Sequence, residues 1–192
     1  MNYTYAYQIY RTEYHKCIKG FSSLILNRYC GFMAVRLTDL QIGSLLQEPK
    51  HLPVNFLDAL TKYKDKGSHK EAELNVVGDN HSSFVVYVRQ SRINPFDFSV
   101  ILGYRLPTKK NIIFRLRRYN GKHPSPHKNK IENQKFVNVC HIHTATERYQ
   151  RRGNKEEDFA EPTERYATVE GAIKCLLLDC NFISPNGRWI WD

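Results

Sequence analysis

Two histidines separated by one residue, His141 and His143, are the residues whose type and spacing point most directly to chemistry. If their segment is a strand, both imidazoles project to the same side. Such a pair can ligate a metal ion, with a carboxylate such as Glu132 or Glu147 or another histidine completing the ligand set. It can equally serve as acid and base on a phosphodiester, because an unperturbed imidazole titrates at about pH 6.5.

The spacing of this pair does not identify a metal site, because His-x-His is too short a motif to be specific. Cys140, the neighbouring thiol, would also face the opposite side of the strand. We therefore predict acid/base chemistry that uses no metal and no cofactor. A binding surface, or histidines that are hydrogen-bonded in place for structural reasons, remains the alternative.

A second pair of histidines, His123 and His127, lies in a loop between Tyr119 and Glu132 that also contains Pro124 and Pro126. Loops present functional side chains from a rigid scaffold, so these imidazoles are candidates for proton transfer. Two histidines in a polar, basic loop can equally have no role.

The segment before this loop is rich in arginine. Strand alternation predicts one face with Arg115, Arg117 and Tyr119 and another with Phe114, Leu116 and Arg118. Guanidinium groups beside a tyrosine that can stack are suited to phosphate and base contacts. The alternative is a strand edge that charge protects from aggregation.

The net charge of +10 is concentrated in one quarter of the chain. The segment from Arg105 to Lys155 contains fourteen Lys and Arg and two Glu, a net +12, whereas the remainder carries 15 basic and 17 acidic residues. This distribution favours a polyanion partner such as RNA or another nucleic acid. The residues predicted to contact it are Arg115, Arg117, Arg118, Tyr119, Lys122, Lys128 and Arg148. The acidic residues between Glu156 and Glu164 are expected to pair with Arg148, Arg151 or Arg152.

The elements that must position these residues follow from periodicity. Thr38 and Gln41 form a capping-box pattern that begins one helix, and a second short helix is expected after Pro53. Glu71–Val77 and Ser83–Gln90 are typical of a hairpin, followed by strands over Phe98–Arg105, Asn111–Tyr119 and Phe136–His143. The last helix is predicted from Thr168 to Cys180. The fold class is therefore α+β: an antiparallel sheet of about five strands, with two N-terminal helices and a C-terminal helix packed on it.

Length predicts a single α+β domain over residues 37–183, preceded by an appended aromatic-rich segment, 1–36, and followed by a tail, 184–192. Five cysteines without a Cys-x-x-Cys pair suggest neither a disulfide framework nor a thiolate zinc site. We find no signal peptide pattern, and the apolar stretch near the start is shorter than the roughly 18 residues of a spanning helix. A cytoplasmic protein that makes no membrane contact is expected.

Several motifs together resemble a bacterial family of small proteins of unknown function. They are Arg-Ile-Asn-Pro-Phe-Asp-Phe from Arg92, Phe-Arg-Leu-Arg-Arg-Tyr-Asn-Gly-Lys from Phe114, His-Ile-His-Thr-Ala-Thr-Glu-Arg-Tyr from His141, and Cys-Leu-Leu-Leu-Asp-Cys-Asn-Phe from Cys175. The resemblance covers about residues 37–182. More distantly, the Arg-Tyr-Asn strand end and the Pro/His loop resemble the TumE-type toxins of bacterial toxin-antitoxin pairs. That resemblance implies an RNA- or nucleotide-directed toxin with Arg118 and His127 near its centre.

The function predicted from the sequence is an RNA-directed toxin-like or defence protein, a metal-independent endoribonuclease. In this hypothesis His141 and His143 transfer protons and Arg118 or Arg148 contacts the phosphate. The alternatives are a non-catalytic module that binds nucleic acid or protein, and an antitoxin-type partner of another chain.

Overall fold

The structure is a computed structural model that describes residues 35–107, 112–185, 187–189 and 191. It shows the predicted α+β class. The helices are α1 (Asp39–Gln47), α2 (Phe56–Thr61), α3 (Glu147–Arg151) and α4 (Val169–Asp179). The strands are β1 (Lys50–His51), β2 (Lys64–Lys66), β3 (His69–Val77), β4 (Ser83–Ser91), β5 (Phe98–Arg105), β6 (Ile113–Asn120), β7 (His127–Asn129), β8 (Gln134–Phe136), β9 (His141–Thr144), β10 (Phe159–Pro162) and β11 (Phe182–Ile183).

The main sheet has seven strands in the order β10-β9-β6-β5-β4-β3-β2, and every neighbouring pair is antiparallel. The prediction of a large antiparallel sheet is confirmed, and its count of about five strands was approximate. The additional strands, β2 and β10, are short strands at the two edges. Two small sheets accompany it: β1 pairs in parallel with β11, and β7 pairs with β8.

Helix α4 covers one face of the main sheet, which we call the helix face. The hairpin of β3 and β4 buries Phe84, Val86 and Val88 there, as its alternation predicts. The same face of β5 contributes Val100 and Leu102, and α4 adds Ile173, Leu176 and Leu177. The apolar core therefore lies between the central strands and the helices.

The predicted N-caps at Thr38 and Thr168 are both confirmed. The Thr38 side chain accepts from the backbone N–H of Gln41, and the Gln41 side chain accepts from the backbone N–H of Thr38, which completes the capping box. The Thr168 hydroxyl accepts from the N–H of Gly171 at the start of α4. Each cap satisfies a backbone donor that would otherwise lack a helical partner.

Strand β6 contains a bulge at Leu116 that the sequence pattern did not predict. Gly103 of β5 pairs with Arg115 and Leu102 pairs with Arg117, so Leu116 is an extra residue. An extra residue reverses the alternation beyond it. The predicted division of β6 into faces is therefore wrong: Arg117 lies on the helix face with Leu116, and Arg118 lies on the opposite face.

The predicted strand Phe136–His143 is also wrong, because it is two separate strands. Strand β8 ends at Phe136 and pairs only with β7, whereas β9 begins at His141 and enters the main sheet between β6 and β10. Asn138 between them has a positive φ of 55°. The β7–β8 hairpin is thus free to lie outside the main sheet. Asn129 holds it there through two hydrogen bonds to the backbone of Ala160 in β10, of 2.7 and 2.9 Å.

Of the predicted appended segment, residues 1–34 lie outside the described residues. In the predicted tail, the Trp189 and Trp191 rings stack at 4.8 Å and pack against the core. Among the described residues, no helix is both long and apolar enough to cross a membrane.

Candidate functional site

The face of the main sheet opposite α4 carries the candidate site at the junction of β6 and β9. Arg118 pairs with His143, and Asn120 pairs with His141, in the antiparallel register of these strands. Directly opposed residues share a face and bring their side chains together. The bulge at Leu116 is what turns Arg118 and Asn120 to this face, because without it they would face α4.

The loop after β6 and the β7–β8 hairpin add two more imidazoles to this face. The His127 ring lies 4.7 Å from the His143 ring and 5.5 Å from the His141 ring, and the His123 ring lies 5.2 Å from that of His141. Phe136 packs against the rings of both His127 and His141. We call His123, His127, His141 and His143 the histidine cluster. The structure brings together all four histidines that the sequence singled out.

Hydrogen bonds fix the tautomer of three of these rings. Nδ1 of His141 donates to the carbonyl oxygen of Val139 at 2.8 Å, and Nδ1 of His143 donates to that of Glu157 at 2.8 Å. Nε2 of His127 lies 3.0 Å from Oδ1 of Asn129, which can only accept. In each neutral ring the other nitrogen therefore keeps its lone pair.

Asn120 occupies the space between the two buried rings. Its Nδ2 lies 3.3 Å from Nε2 of His141 and 3.3 Å from Nε2 of His143. Its Oδ1 accepts from the Ser99 hydroxyl at 2.7 Å. Both Nε2 lone pairs therefore face one point, which the amide of Asn120 marks.

Arg118 is the cation of the site. Its Nη2 lies 3.2 Å from each ring nitrogen of His143, so the guanidinium is not directed at one lone pair of that ring. Within the described residues no carboxylate lies at ion-pair distance from it, and its Nε is buried without a hydrogen-bond partner. Its neighbour Arg115, by contrast, pairs with Glu157 at 2.9 Å. Arg118 is therefore a partly buried positive charge without a protein counter-ion in that part of the chain.

Burial keeps the inner imidazoles neutral. Desolvation lowers the pKa of His141 to about 4; the hydrogen bond to the Val139 carbonyl acts against this shift, and the positive charge of Arg118 adds to it. Desolvation and then Arg118 lower the pKa of His143, and desolvation lowers the pKa of His127. At neutral pH these rings offer lone pairs and are not proton donors through an imidazolium.

Several residues predicted to contact nucleic acid lie elsewhere. Tyr119 is fully buried on the helix face, where its hydroxyl donates to Asp179 at 2.8 Å. Arg117 lies on the same face, 3.8 Å from the Asp179 carboxylate. Arg115 faces the cluster side but is paired with Glu157. The ring of Tyr119 is thus not exposed for stacking on a base.

The remaining predicted contacts are Lys122, Lys128 and Arg148. Lys122 and Lys128 are exposed on the loop and on β7. Arg148 pairs with Glu132 at 2.5 Å and lies over the Phe159 ring. The acidic residues from Glu156 onward were expected to pair with arginines in or directly after α3. Instead, Glu157 pairs with Arg115, and Asp158 pairs with Lys130.

Within the described ranges, the group that could hold a metal ion is His127, His141 and His143, whose donor atoms all lie within 4.8 Å of one another. Neither carboxylate considered from the sequence belongs to it, since Glu132 and Glu147 pair with arginines. The third donor is instead a histidine from the loop region.

Asn120 is the important site residue that the sequence reasoning did not single out. It lies two residues after Arg118, so strand alternation alone places both on one face. Ser99, which holds its amide, comes from β5 and is adjacent only through sheet pairing. Strand alternation in the sequence could therefore have identified Asn120, whereas no sequence pattern indicates Ser99.

Comparison with known proteins agrees with the resemblance to a family of unknown function. A family model described as a family of unknown function, DUF6978, matches residues 37–176. Neither the curated proteins nor the solved structures gave a match. The more distant resemblance to TumE-type toxins is not confirmed. Since the matched range takes in the sheet, the histidine cluster and most of α4, the chain belongs to the DUF6978 family.

Proposed function

We propose that this protein is an RNA-directed enzyme that cleaves phosphodiester bonds at the histidine cluster. The observation that carries the proposal is the convergence of four imidazoles, one of which, His143, contacts Arg118, a partly buried cation without a carboxylate partner among the described residues. A site of this kind is prepared for an anion with ionisable groups next to it.

Arg118 is the group proposed to contact the phosphate. Its guanidinium lies beside His143 and is partly shielded from water, which strengthens its interaction with a developing negative charge. The Asn120 amide and the imidazoles line the same face, so the phosphate can approach from the loop side.

The proton transfers are assigned to the outer part of the cluster. Cleavage of RNA forms a bond from the 2′-oxygen to phosphorus and breaks the bond from phosphorus to the 5′-oxygen. A base takes the proton of the 2′-hydroxyl and an acid protonates the leaving oxygen, which gives a 2′,3′-cyclic phosphate and a 5′-hydroxyl. His141 and His143 are each only 2% exposed. The half-buried His123 and His127 can reach a substrate more easily.

The surroundings fit RNA as the substrate. Lys122, Lys128 and Lys135 are exposed on the loop and hairpin that bear the outer histidines, and within the described ranges none of the three makes an ion pair. The described cysteines, Cys140, Cys175 and Cys180, are free, which suits a reducing cytoplasm. A toxin or defence role, with a cognate antitoxin as protein partner, belongs to the same proposal.

Incubation of purified protein with total RNA tests the proposal. We expect fragments with 2′,3′-cyclic phosphate ends, and we expect Arg118→Gln to lower the rate by roughly a hundredfold, as loss of a charge-stabilising donor does. Arg151→Gln is the matched control, because Arg151 is exposed and paired with Glu147. Circular dichroism checks that both variants fold. Absence of cleavage by the wild-type protein with and without added Zn²⁺, or equal rates for the two variants, would overturn the proposal.

A non-catalytic nucleic-acid-binding module is the second candidate. It is favoured by Asn120, whose amide is within hydrogen-bond distance of both buried histidines and so completes a network that needs no ligand. In that case RNA binds with steep salt dependence, His127→Ala leaves affinity within about twofold, and no turnover is measured.

A further inference from the structure

We propose that His127, His141 and His143 bind a divalent transition-metal ion of the zinc type, with an open coordination position directed towards Arg118. The participation of this ion in RNA cleavage rests on the proposed function, whereas its binding to the three histidines does not.

The positions of the donor atoms support an ion at this place. One ring nitrogen from each histidine lies within 4.8 Å of the other two. Zinc binds imidazole nitrogen at about 2.0–2.1 Å, which corresponds to a separation of about 3.4 Å between ligand atoms in a tetrahedral site. The rings must therefore close on the ion by ~1 Å or less. His127 can supply this movement, because it lies half-buried on a hairpin outside the main sheet.

The hydrogen bonds of the non-ligating nitrogens support the same assignment. Metal-bound histidines usually donate their other N–H to a carbonyl or carboxylate oxygen, which orients the ring and fixes the tautomer. His141 and His143 donate in this way to the backbone of Val139 and Glu157. Their Nε2 atoms are left as ligands on the same side. This arrangement is set by the backbone and so exists before any ion binds.

Asn120 marks the place where the two buried lone pairs meet. Its amide nitrogen is 3.3 Å from both Nε2 atoms. The Ser99 hydroxyl that contacts its other end can donate or accept, so Asn120 can turn its oxygen towards the cluster without losing that hydrogen bond. An ion between the two Nε2 atoms would then face an oxygen and not an N–H.

The charge of the site indicates what occupies the open position. The three ligands are neutral, and Arg118 adds a positive charge beside His143. A dication next to this guanidinium requires an anion between them, such as hydroxide or a phosphate oxygen of the substrate. His123 is not among the three histidines whose donor atoms lie within 4.8 Å of one another. In the ion-bound protein His127 is a ligand, so of the two outer histidines only His123 stays available for proton transfer. An anion held between the ion and Arg118 would also explain why Arg118 has no carboxylate partner among the described residues.

Calorimetric titration of chelator-treated full-length protein, free of any histidine tag, with Zn²⁺ tests the site. We expect one ion per chain and a loss of at least a hundredfold in affinity for His127→Ala. His127 is chosen because it is half-buried, so its removal disturbs the core less than removal of His141 or His143. His51→Ala is the matched control, since His51 is exposed and pairs with Asp79. Binding of Co²⁺, followed by its visible absorption, should be lost in the same variant.

Two results would overturn the inference: no Zn²⁺ binding by the wild-type protein, or equal binding by wild type and His127→Ala. RNA cleavage measured on the same samples keeps the two proposals apart. Cleavage without Zn²⁺ binding overturns the metal site and supports the proposed function. Zn²⁺ binding that depends on His127, without cleavage in the loaded protein, supports the metal site and overturns the proposed function.

Discussion

At the scale of single residues, hydrogen-bond partners and burial determine the tautomer and the charge of each imidazole. His141 and His143 are almost fully buried, and backbone carbonyls hold each in one tautomer. They are lone-pair donors at neutral pH, which suits metal ligation better than donation of a proton. The sequence hypothesis of acid/base catalysis by these two residues assumed solvent-like pKa values, and burial is the reason that this assumption fails.

The lowered pKa of His141 predicts a loss of stability in acid for the chelator-treated protein. Unfolded histidine has a pKa of about 6.5, so below that pH the unfolded chain takes up a proton that the folded chain does not. Stability contributed by neutral His141 is therefore complete above pH 6.5 and falls as the pH approaches about 4. The total loss is about 3 kcal/mol. Urea unfolding at pH 7 and pH 4.5 measures it.

His141→Asn should show a smaller difference between these two pH values than the wild-type protein, whereas His51→Ala should show the wild-type difference. Equal pH dependence for wild type and His141→Asn would contradict the prediction.

At the scale of elements, the site depends on two departures from regular strand pairing. The bulge at Leu116 turns Arg118 and Asn120 to the cluster side of β6. The β7–β8 hairpin leaves the main sheet, folds over this face and carries His127. Gly121 links the two features, because it directly follows β6 and begins the loop, with its N–H donating to the carbonyl oxygen of Phe98 at 2.9 Å.

Gly121→Ala should displace the loop that bears the outer histidines. A Cβ at this position would lie 2.1 Å from the carbonyl oxygen of Phe96 and 2.6 Å from the Phe98 ring. Because the first contact is with backbone, the chain must shift, and we expect a loss of about 1–3 kcal/mol in the free energy of unfolding. Urea denaturation measures the change.

Gly43→Ala is the matched control for this substitution. Gly43 lies in α1, and a Cβ there would meet nothing within 4 Å. Since alanine is the better helix former, this variant should be as stable as the wild type or more so, by up to ~1 kcal/mol. A Gly121→Ala variant that is no less stable than Gly43→Ala would show that the loop tolerates the added methyl group.

At the scale of the whole molecule, ion pairing reduces the basic segment that the sequence identified. Of its fourteen Lys and Arg, twelve lie in the described ranges, and six of these twelve are paired with carboxylates. Among the described cations of the segment, the unpaired ones are Arg118, Lys122, Lys128 and Lys135 around the histidine cluster, and Arg152 and Lys155 after α3. The opposite edge of the sheet, β2, carries its own exposed lysines.

The local concentration of charge predicts which lysines determine RNA affinity. Substitution of Lys122, Lys128 and Lys135 by Gln should weaken binding of single-stranded RNA. It should also reduce the magnitude of the negative slope of log affinity against log salt by about 2, since each lost phosphate contact contributes about 0.7. Filter binding over a salt series measures both. Substitution of Lys62, Lys64 and Lys66 by Gln removes the same charge at the far edge and should change the slope little. Equal effects of the two triple variants would contradict a localised surface.

The sequence by itself determined the parts of this protein that depend on local chemistry. Three predictions depend only on residues within one turn or one strand, and the sequence pattern was sufficient for each. They are the capping box at Thr38, the cap at Thr168 and the alternation of Phe84, Val86 and Val88. The four histidines and Arg118 could also be chosen from the sequence, because residue type and charge clustering are visible there.

Only the tertiary structure decided how these residues meet. The bulge at Leu116 arises from pairing between β5 and β6, and no pattern within β6 signals the extra residue. The pairing of β6 with β9 skips the intervening hairpin, and this long-range pairing places Arg118 beside His143 and Asn120 beside His141. The neutrality of the buried imidazoles follows from that packing. The face on which each side chain lies, its contacts and its pKa are set by residues distant along the chain. Local sequence periodicity therefore cannot predict them.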